Sequence, residues 1–389
     1  MTLDRARSFL PELTAIRRDI HAHPELGLEE VRTADLVARK LEKWGIEVHR
    51  GVGVTGVVGV LRNGNGEASI GLRADMDALP MAEATGLPHA STVAGKMHAC
   101  GHDGHTTMLL GAAKLLAETR NFNGTVNFIF QPAEEGRGGA EAMIADGLFS
   151  RFPCNAVFGM HNRPGMPVGE FSVCPGSAMA GAARFEVTVT GKGAHGARPE
   201  ESIDPVLAVC HIATALQSMV SRNIPARDSA VFSITMLSGG GAFNIIPQTA
   251  SLGGTARTMS NETMALLKAN TERLATSIAA GFGASATVDF QVLFAPLVNN
   301  PAELRILADT AAEVVGDAHI DRNRAPVMAS EDFSAMMNLV PGAHINLGNG
   351  TTSAPVHNQA YDFNDEAIPY GAALFARLAE RKLPRGERE

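Results

Sequence analysis

Apolar positions recur at helical spacing through Leu13, Ile16 and Ile20, and again through Val31, Leu36, Val37 and Leu41, with HAHPELGL around Pro24 between them. Residues three and four apart share one face of a helix, so residues 12–44 are predicted to form amphipathic helix interrupted at the proline. After Gly45 the period changes. IEVHRGVGVTGVVGVL and ASIGLRADMDALP are β-rich segments broken by glycines. A helix is expected from about His105 to Thr119, followed by the strand TVNFIFQ and by the glycine-rich PAEEGRGGAEAMIADG leading into another helix. Strands alternating with helices at this spacing predict an α/β sandwich with a largely parallel sheet.

The pattern shifts near Ala180. ARFEVTVTGKGAHG alternates strictly, as a strand with one exposed face does, and DPVLAVCHIATALQSMV reads as a helix. SAVFSITMLSGG and TASLGGTART are further strands, NETMALLKANTERLATSIAAGFG a second helix, and SATVDFQVLFAP the last strand. The order βαββαβ is the ferredoxin-like signature. Helices and strands resume after about residue 293, so a small α+β domain at 180–292 is expected to be inserted into a larger one formed by 1–179 and 293–389. A length of 389 residues agrees with two domains.

Three polar clusters, ADMD, QPAEE and FGMHN, each follow an apolar strand-like run. Ligands in α/β sheets sit beyond the carboxyl ends of strands, so the three clusters predict one shared site. Charge narrows the partners. A net charge of -8 with no concentrated run of Lys and Arg argues against nucleic acid. No stretch approaches the roughly 20 apolar residues of a membrane span. The N-terminus mixes both charge signs without an apolar signal-like core, so a cytoplasmic protein is expected. The four cysteines form no CxxC pair, and Cys154, Cys174 and Cys210 are read as small buried hydrophobes.

Cys100 stands apart, because MHACGHDGH places it two residues from His102. In an extended segment such residues share a face, and a thiolate with an imidazole favours zinc-like ions. Glu134 and Glu135 are adjacent, and in a strand-end conformation consecutive side chains point apart. One can ligate while the other acts as a base. His161 in GMHN and His357 in PVHN complete five candidate ligands and a spare carboxylate, which suits a two-metal hydrolytic site. A nucleophilic-cysteine enzyme would leave the glutamates, His161 and His357 without a task. A zinc deaminase would need PCxxC, which is absent. A non-catalytic metal-binding protein would have no use for the spare carboxylate.

RADMDALP, MHACGHDGH, QPAEEGRGGA, FGMHN, GKGAHGARPE, FNIIPQTA, GGTARTM, SEDF and PVHN together resemble the M20 metallopeptidases, in their amidohydrolase branch. The resemblance covers essentially the whole chain. It implies a zinc-exopeptidase-like catalytic domain carrying an inserted ferredoxin-like dimerisation and lid domain. It implies two divalent ions per subunit (zinc, manganese, cobalt or nickel) held by Cys100, His102, Glu135, His161 and His357, with Glu134 as catalytic base. It implies that His195 reaches the active site of a partner subunit in a homodimer or dimer-based tetramer. Asn244 and Arg257 resemble positions that hold the substrate carboxylate, and Asp77 one that supports the metal site. The activity implied is hydrolysis of N-acyl amino acids such as hippurate-like or N-acetyl compounds. A dipeptidase or carboxypeptidase of the same fold is the alternative. Many relatives bridge their metals with an aspartate where this chain has Cys100 and His102, which leaves the bridging group open.

The remaining polar residues of these motifs are read as structural. His21 and His23 end a helix, His98 packs beside the cysteine loop, and His105 caps its helix. Glu331 is either a site carboxylate or an N-terminal helix charge after a Ser330 cap, and Asp332 is expected in solvent.

Overall fold

The two N-terminal helical periods form α1 (Thr2–Ser8), α2 (Leu10–Ala22) and α3 (Val31–Lys43). Pro24 and the residues after it keep α2 and α3 apart, because proline cannot continue a helix. Leu13, Ile16 and Ile20 of α2 and Leu36, Val37 and Leu41 of α3 are buried, as their spacing predicts. β1 (Glu47–Val52), β2 (Gly56–Asn63) and β3 (Ser69–Asp75) follow, then α4 (His102–Thr119) and β4 (Gly124–Gln131). α5 (Gly139–Ala145), α6 (Leu148–Arg151), β5 (Ala156–Arg163) and β6 (Phe171–Ser172) complete this part of the chain. The computed structural model describes residues 2–385.

The middle segment contains β7 (Ser177–Met179), β8 (Gly181–Thr190), β9 (Ala194–His195), α7 (Pro205–Leu216), α8 (Ser218–Asn223) and β10 (Ala230–Gly239). β11 (Ile245–Ile246), β12 (Thr249–Thr258), α9 (Asn261–Gly281), β13 (Ser285–Phe294) and β14 (Leu297–Val298) follow. β10, β12, β8 and β13 form an antiparallel sheet in that spatial order, the ferredoxin-like arrangement. Its core is the alternate face of β8: Phe185, Val187 and Val189 are buried, and Arg184 and Glu186 are exposed. Phe185 stacks on Phe232 with ring centroids 4.3 Å apart. Both long helices start with side-chain caps. Asp204 accepts from the amides of Val206 and Leu207 before Pro205 opens α7, and Ser260 accepts from Thr263 N at 3.1 Å at the start of α9.

α10 (Pro301–Val315), β15 (Ile320–Asp321), α11 (Phe333–Met337), β16 (Gly342–Gly348) and α12 (Ile368–Lys382) return to the first body. The chain divides into two compact units, one being Ser177–Leu297 with Pro326–Glu331 and the other the remainder. The larger unit has one eight-stranded sheet, ordered β1-β2-β4-β3-β5-β16-β6-β15. The expected parallel pairing holds at its centre, where β4, β3, β5 and β16 are parallel neighbours, and again between β6 and β15 at one edge. The β1–β2–β4 side is antiparallel, since the short β1–β2 turn leaves no room for a crossover. β3 is buried along its whole length, as a central parallel strand should be. α4 is buried at fourteen of its eighteen residues, and its Met108 presses on Gly371 of α12, where an added Cβ would meet the sulfur at 2.1 Å.

Candidate active site

The parallel register decides where the polar clusters meet. Asp75 at the end of β3 pairs with Gln131 at the end of β4, and Gly159 of β5 pairs with Arg73. The carboxyl ends of β3, β4 and β5 therefore lie at one edge of the sheet, with Asp77 just past β3, Glu134 and Glu135 just past β4, and His161 among the last three residues of β5.

Cys100 and His102 join this edge by a route other than the extended segment expected. His102 is the first residue of α4, and Gly101 before it has φ 91°, so the chain turns sharply between the two side chains. Only glycine fits, since a Cβ at 101 would also lie 2.4 Å from both Asn162 Nδ2 and Tyr361 Oη. Glu134 and Glu135 likewise sit in a turn instead of a strand. Ala133 before them has φ 55° and His357 has φ 61°, both in the region that ordinary side chains avoid.

The donor atoms converge. Cys100, His102 and His161 form one group with ligand atoms within 4.8 Å of one another; Cys100, Glu135 and His357 form a second, and His102, Glu134 and Glu135 a third. Cys100 Sγ lies 3.3 Å from His161 Nε2, and His357 Nε2 lies 3.1 Å from Glu135 Oε1. That last approach lacks hydrogen-bond alignment, for Glu135 Oε1 has no hydrogen-bond partner. His102 Nε2 is also buried without a hydrogen-bond partner, with Asp75 Oδ2 3.7 Å away, while Nδ1 of the same ring lies 3.1 Å from Asp77 Oδ1. His161 Nδ1 is 2.6 Å from Asn162 O, which fixes Nδ1–H as donor and leaves Nε2 its lone pair. Unpartnered buried nitrogen and carboxylate oxygen, next to thiol and imidazole, fit divalent cations of borderline softness.

Electrostatics in the pocket agree with that fit. Burial and the neighbouring His105 hold His161 well below the ordinary imidazole value, so it is a neutral ligand type. Burial pushes the Cys100 thiol up. His102 is pulled down by burial, yet Asp75 and Cys100 outweigh this and hold it well above the usual range. His357, beside Cys100 and Glu135, is pushed up to about 10. A cation bound here would displace protons from these groups.

Several residues read as structural form the frame of this pocket. His105 is no cap: it is buried, with Nδ1 2.6 Å from Asp75 Oδ1 and Nε2 accepting from Asn162 N at 2.9 Å. Asp332 is buried instead of solvated. It accepts from Arg73 at 3.1 Å, from Gln131 Nε2 at 2.7 Å and from Ala140 N at 3.0 Å, because the ends of β3 and β4 converge on it. α11 begins at Phe333, so Ser330 does not cap it, and Glu331 is buried. His21 is buried 2.8 Å from Asp103 Oδ2; burial lowers its pKa, but Asp103 and Glu83 carry it up to about 9. His98 is buried with both ring nitrogens unpartnered, and burial pushes it down to about 4. His23 bonds only its own helix end, at Asp19 O. All four cysteines are free, and Cys210 is exposed because it falls between Val209 and Ile212 on the outer face of α7.

Residues 71–381 match peptidase family M20/M25/M40. The hippurate hydrolase of Campylobacter jejuni is 44% identical over 96% of this chain and 97% of its own. The chain belongs to peptidase family M20/M25/M40. The IAA-amino acid hydrolase ILR1-like 4 of Arabidopsis thaliana is 41% identical over 98% of this chain and 88% of its own. Among solved structures, a dinuclear metal-binding M20 peptidase of Bacillus subtilis, YXEP, is 35% identical, with a TM-score of 0.86 over 97% of this chain and 99% of that one.

The second unit of this M20 chain carries the other candidate residues. His195 of β9 is exposed and pairs with Ile245 of β11, and Gly196 N donates to Asn244 O at 2.8 Å, so His195 and Asn244 are neighbours. Ala197 N donates to His195 Nδ1 at 3.0 Å, which leaves the ring proton of the neutral form on Nε2. Arg257 lies on β12, where it bonds Thr255 Oγ1 and Ala256 O, and no described carboxylate pairs with it. Sequence reading passed over Asp75, Asn162 and Tyr361. Asp75 stands in the quoted ADMD and Asn162 in FGMHN, but each is recognisable only by what packs on it.

Proposed function

We propose that this M20 protein is a metal-dependent amidohydrolase that splits N-acyl amino acids into a carboxylic acid and a free amino acid. One observation carries the reading: Glu134 stands beside a set of ligand-type residues, Cys100, His102, Glu135, His161 and His357, that is already sufficient for two divalent ions. Such ions, when bound, lower the pKa of water and polarise a carbonyl. Zinc, manganese, cobalt or nickel would suit the set, and the thiol of Cys100 inclines it to the softer ones.

Glu134 takes the proton of the attacking water and delivers it to the leaving amine, so one carboxylate serves as base and then acid. Asp77 holds His102 Nδ1 and also accepts from Glu135 N at 2.9 Å, orienting two of the ligands together. His195, with Nε2–H free to donate, stabilises the oxyanion of the tetrahedral state, and it does so in the active site of a partner subunit. Arg257, which pairs with no carboxylate among the described residues, and Asn244 hold the carboxylate that every N-acyl amino acid carries.

A homodimer, or a tetramer built of dimers, is supported by β10. This ten-residue strand, AVFSITMLSG, lies at a sheet edge, carries no charge, and exposes Met236 and Leu237. Such an edge invites pairing with a second chain. Among the described residues no helix is long and apolar enough to cross a membrane. Four free cysteines support a reducing compartment such as the cytoplasm.

Glu134→Ala tests the central assignment. Turnover of hippurate and N-acetyl amino acids should fall by a factor on the order of 10² to 10⁴ or more, with two metal ions still bound per chain. Substantial turnover by the metal-loaded variant would remove Glu134 from the chemistry.

A further inference from the structure

Asn162 follows His161, and its polar atoms engage four separate parts of the larger unit. Its side-chain amide donates to Cys100 O at 2.6 Å, and Nδ2 also lies 3.0 Å from His105 Nε2. Its Oδ1 accepts from Tyr361 Oη at 2.8 Å. Its backbone N–H donates to His105 Nε2 at 2.9 Å, and its carbonyl oxygen lies 2.6 Å from His161 Nδ1. Asn162 and Tyr361 are both buried. The bonds thus reach the loop of Cys100, the first turn of α4 just after His102, the ring of His161, and the segment that begins at His357. That last segment is also tied to the cysteine loop, since His357 N donates to Ala99 O at 2.7 Å.

We propose that Asn162 is a positioning residue for the metal pair, setting Cys100, His161 and the His357 segment at the separation that two divalent ions require. The proposal rests on the reading of these residues as ligands. Asparagine suits the task because one planar amide both donates and accepts in fixed directions. Gly101 is part of the same device, since any side chain there would occupy the space of Asn162 Nδ2 and Tyr361 Oη. A residue that only filled the core would not need its donor and acceptor aimed at different ligand-bearing segments.

The test compares Asn162→Ala and Tyr361→Phe with the unaltered enzyme. Bound metal is measured by elemental analysis, affinity for Zn²⁺ and Mn²⁺ by chelator competition, and the melting temperature on metal-stripped protein. Asn162→Ala should weaken metal affinity by about 10- to 100-fold. Tyr361→Phe, which removes one bond to Asn162 and little volume, should weaken it by a smaller factor in the same direction. The melting temperature of the stripped proteins should change much less than the affinity. If both variants bind metal as tightly as the parent and differ only in melting temperature, Asn162 is a structural residue and the proposal fails. If Asn162→Ala does not fold, Tyr361→Phe decides alone, and unchanged affinity there overturns the proposal. An unaltered enzyme that binds no divalent ion at this site would instead bring down the ligand reading itself.

Discussion

Glu30 lies directly under the turn that presents Glu134 and Glu135, fully buried at the start of α3. Its Oε1 accepts from Ala133 N at 2.8 Å and its Oε2 from Thr55 Oγ1 at 2.5 Å. It thereby props the strained Ala133, whose φ of 55° costs on the order of 1–3 kcal/mol. Burial pushes the Glu30 carboxyl from 4.5 up to about 7. A raised carboxyl pKa means the folded state holds the proton more tightly than the unfolded one. Its contribution is therefore full below about pH 4.5 and is lost as pH rises to about 7. Glu30→Gln, a mimic of the protonated acid, should be indifferent to that window. Urea unfolding of both proteins between pH 4.5 and 8 should show the parent losing up to roughly 3 kcal/mol relative to the variant. Parallel pH profiles would mean that Glu30 does not titrate there.

At the scale of elements, α9 separates two contributions that sequence patterns treat alike. Its cap is Ser260, whose side chain satisfies Thr263 N, and its core face carries Met264, Leu267, Ala275 and Ala279. Loss of a cap costs about 1 kcal/mol. Truncation of a buried leucine costs about 2–5 kcal/mol, because a cavity remains where transfer energy and contacts are lost. Leu267→Ala should therefore destabilise the smaller unit more than Ser260→Ala does, as measured by hydrogen exchange of its β-sheet amides. The reverse order would show that α9 is held mainly by its end. The helix itself was legible from its sequence, NETMALLKANTERLATSIAAGFG, whereas its Ser260 cap and its core face were decided by the structure. What the pattern could not show was the turn at Gly101, since a two-residue interval looks the same in a strand and at a helix start.

For the whole molecule, the proposed shared site makes a prediction that no single chain can meet. His195→Ala and Glu134→Ala should each be inactive alone. Mixed dimers formed by unfolding and refolding the two together should recover about half of the parent activity per heterodimer, or about a quarter for a statistical mixture, as one intact site per pair requires. No recovery in verified mixed dimers would confine His195 to its own chain. Removing metal with a chelator should abolish turnover and lower the melting temperature, and adding Zn²⁺ or Mn²⁺ should restore both, since binding to the folded state alone stabilises it.

By itself the sequence determined the two-part organisation, the ferredoxin-like order of the middle segment and the ligand-type residues, because alternation, helical spacing and chemically distinctive side chains are local properties. It also carried the family, through motifs that lie in order along nearly the whole chain. Tertiary structure decided which polar residues are frame and which face the site. Asp332 and His105 look like surface or cap residues in their own segments, yet they are buried where β3, β4 and α4 converge. Asn162 is one more residue after a histidine until folding aims its amide at Cys100, His105 and Tyr361. Those assignments depend on hydrogen bonds between residues tens to hundreds of positions apart, and the sequence pattern around any one of them does not contain its partners.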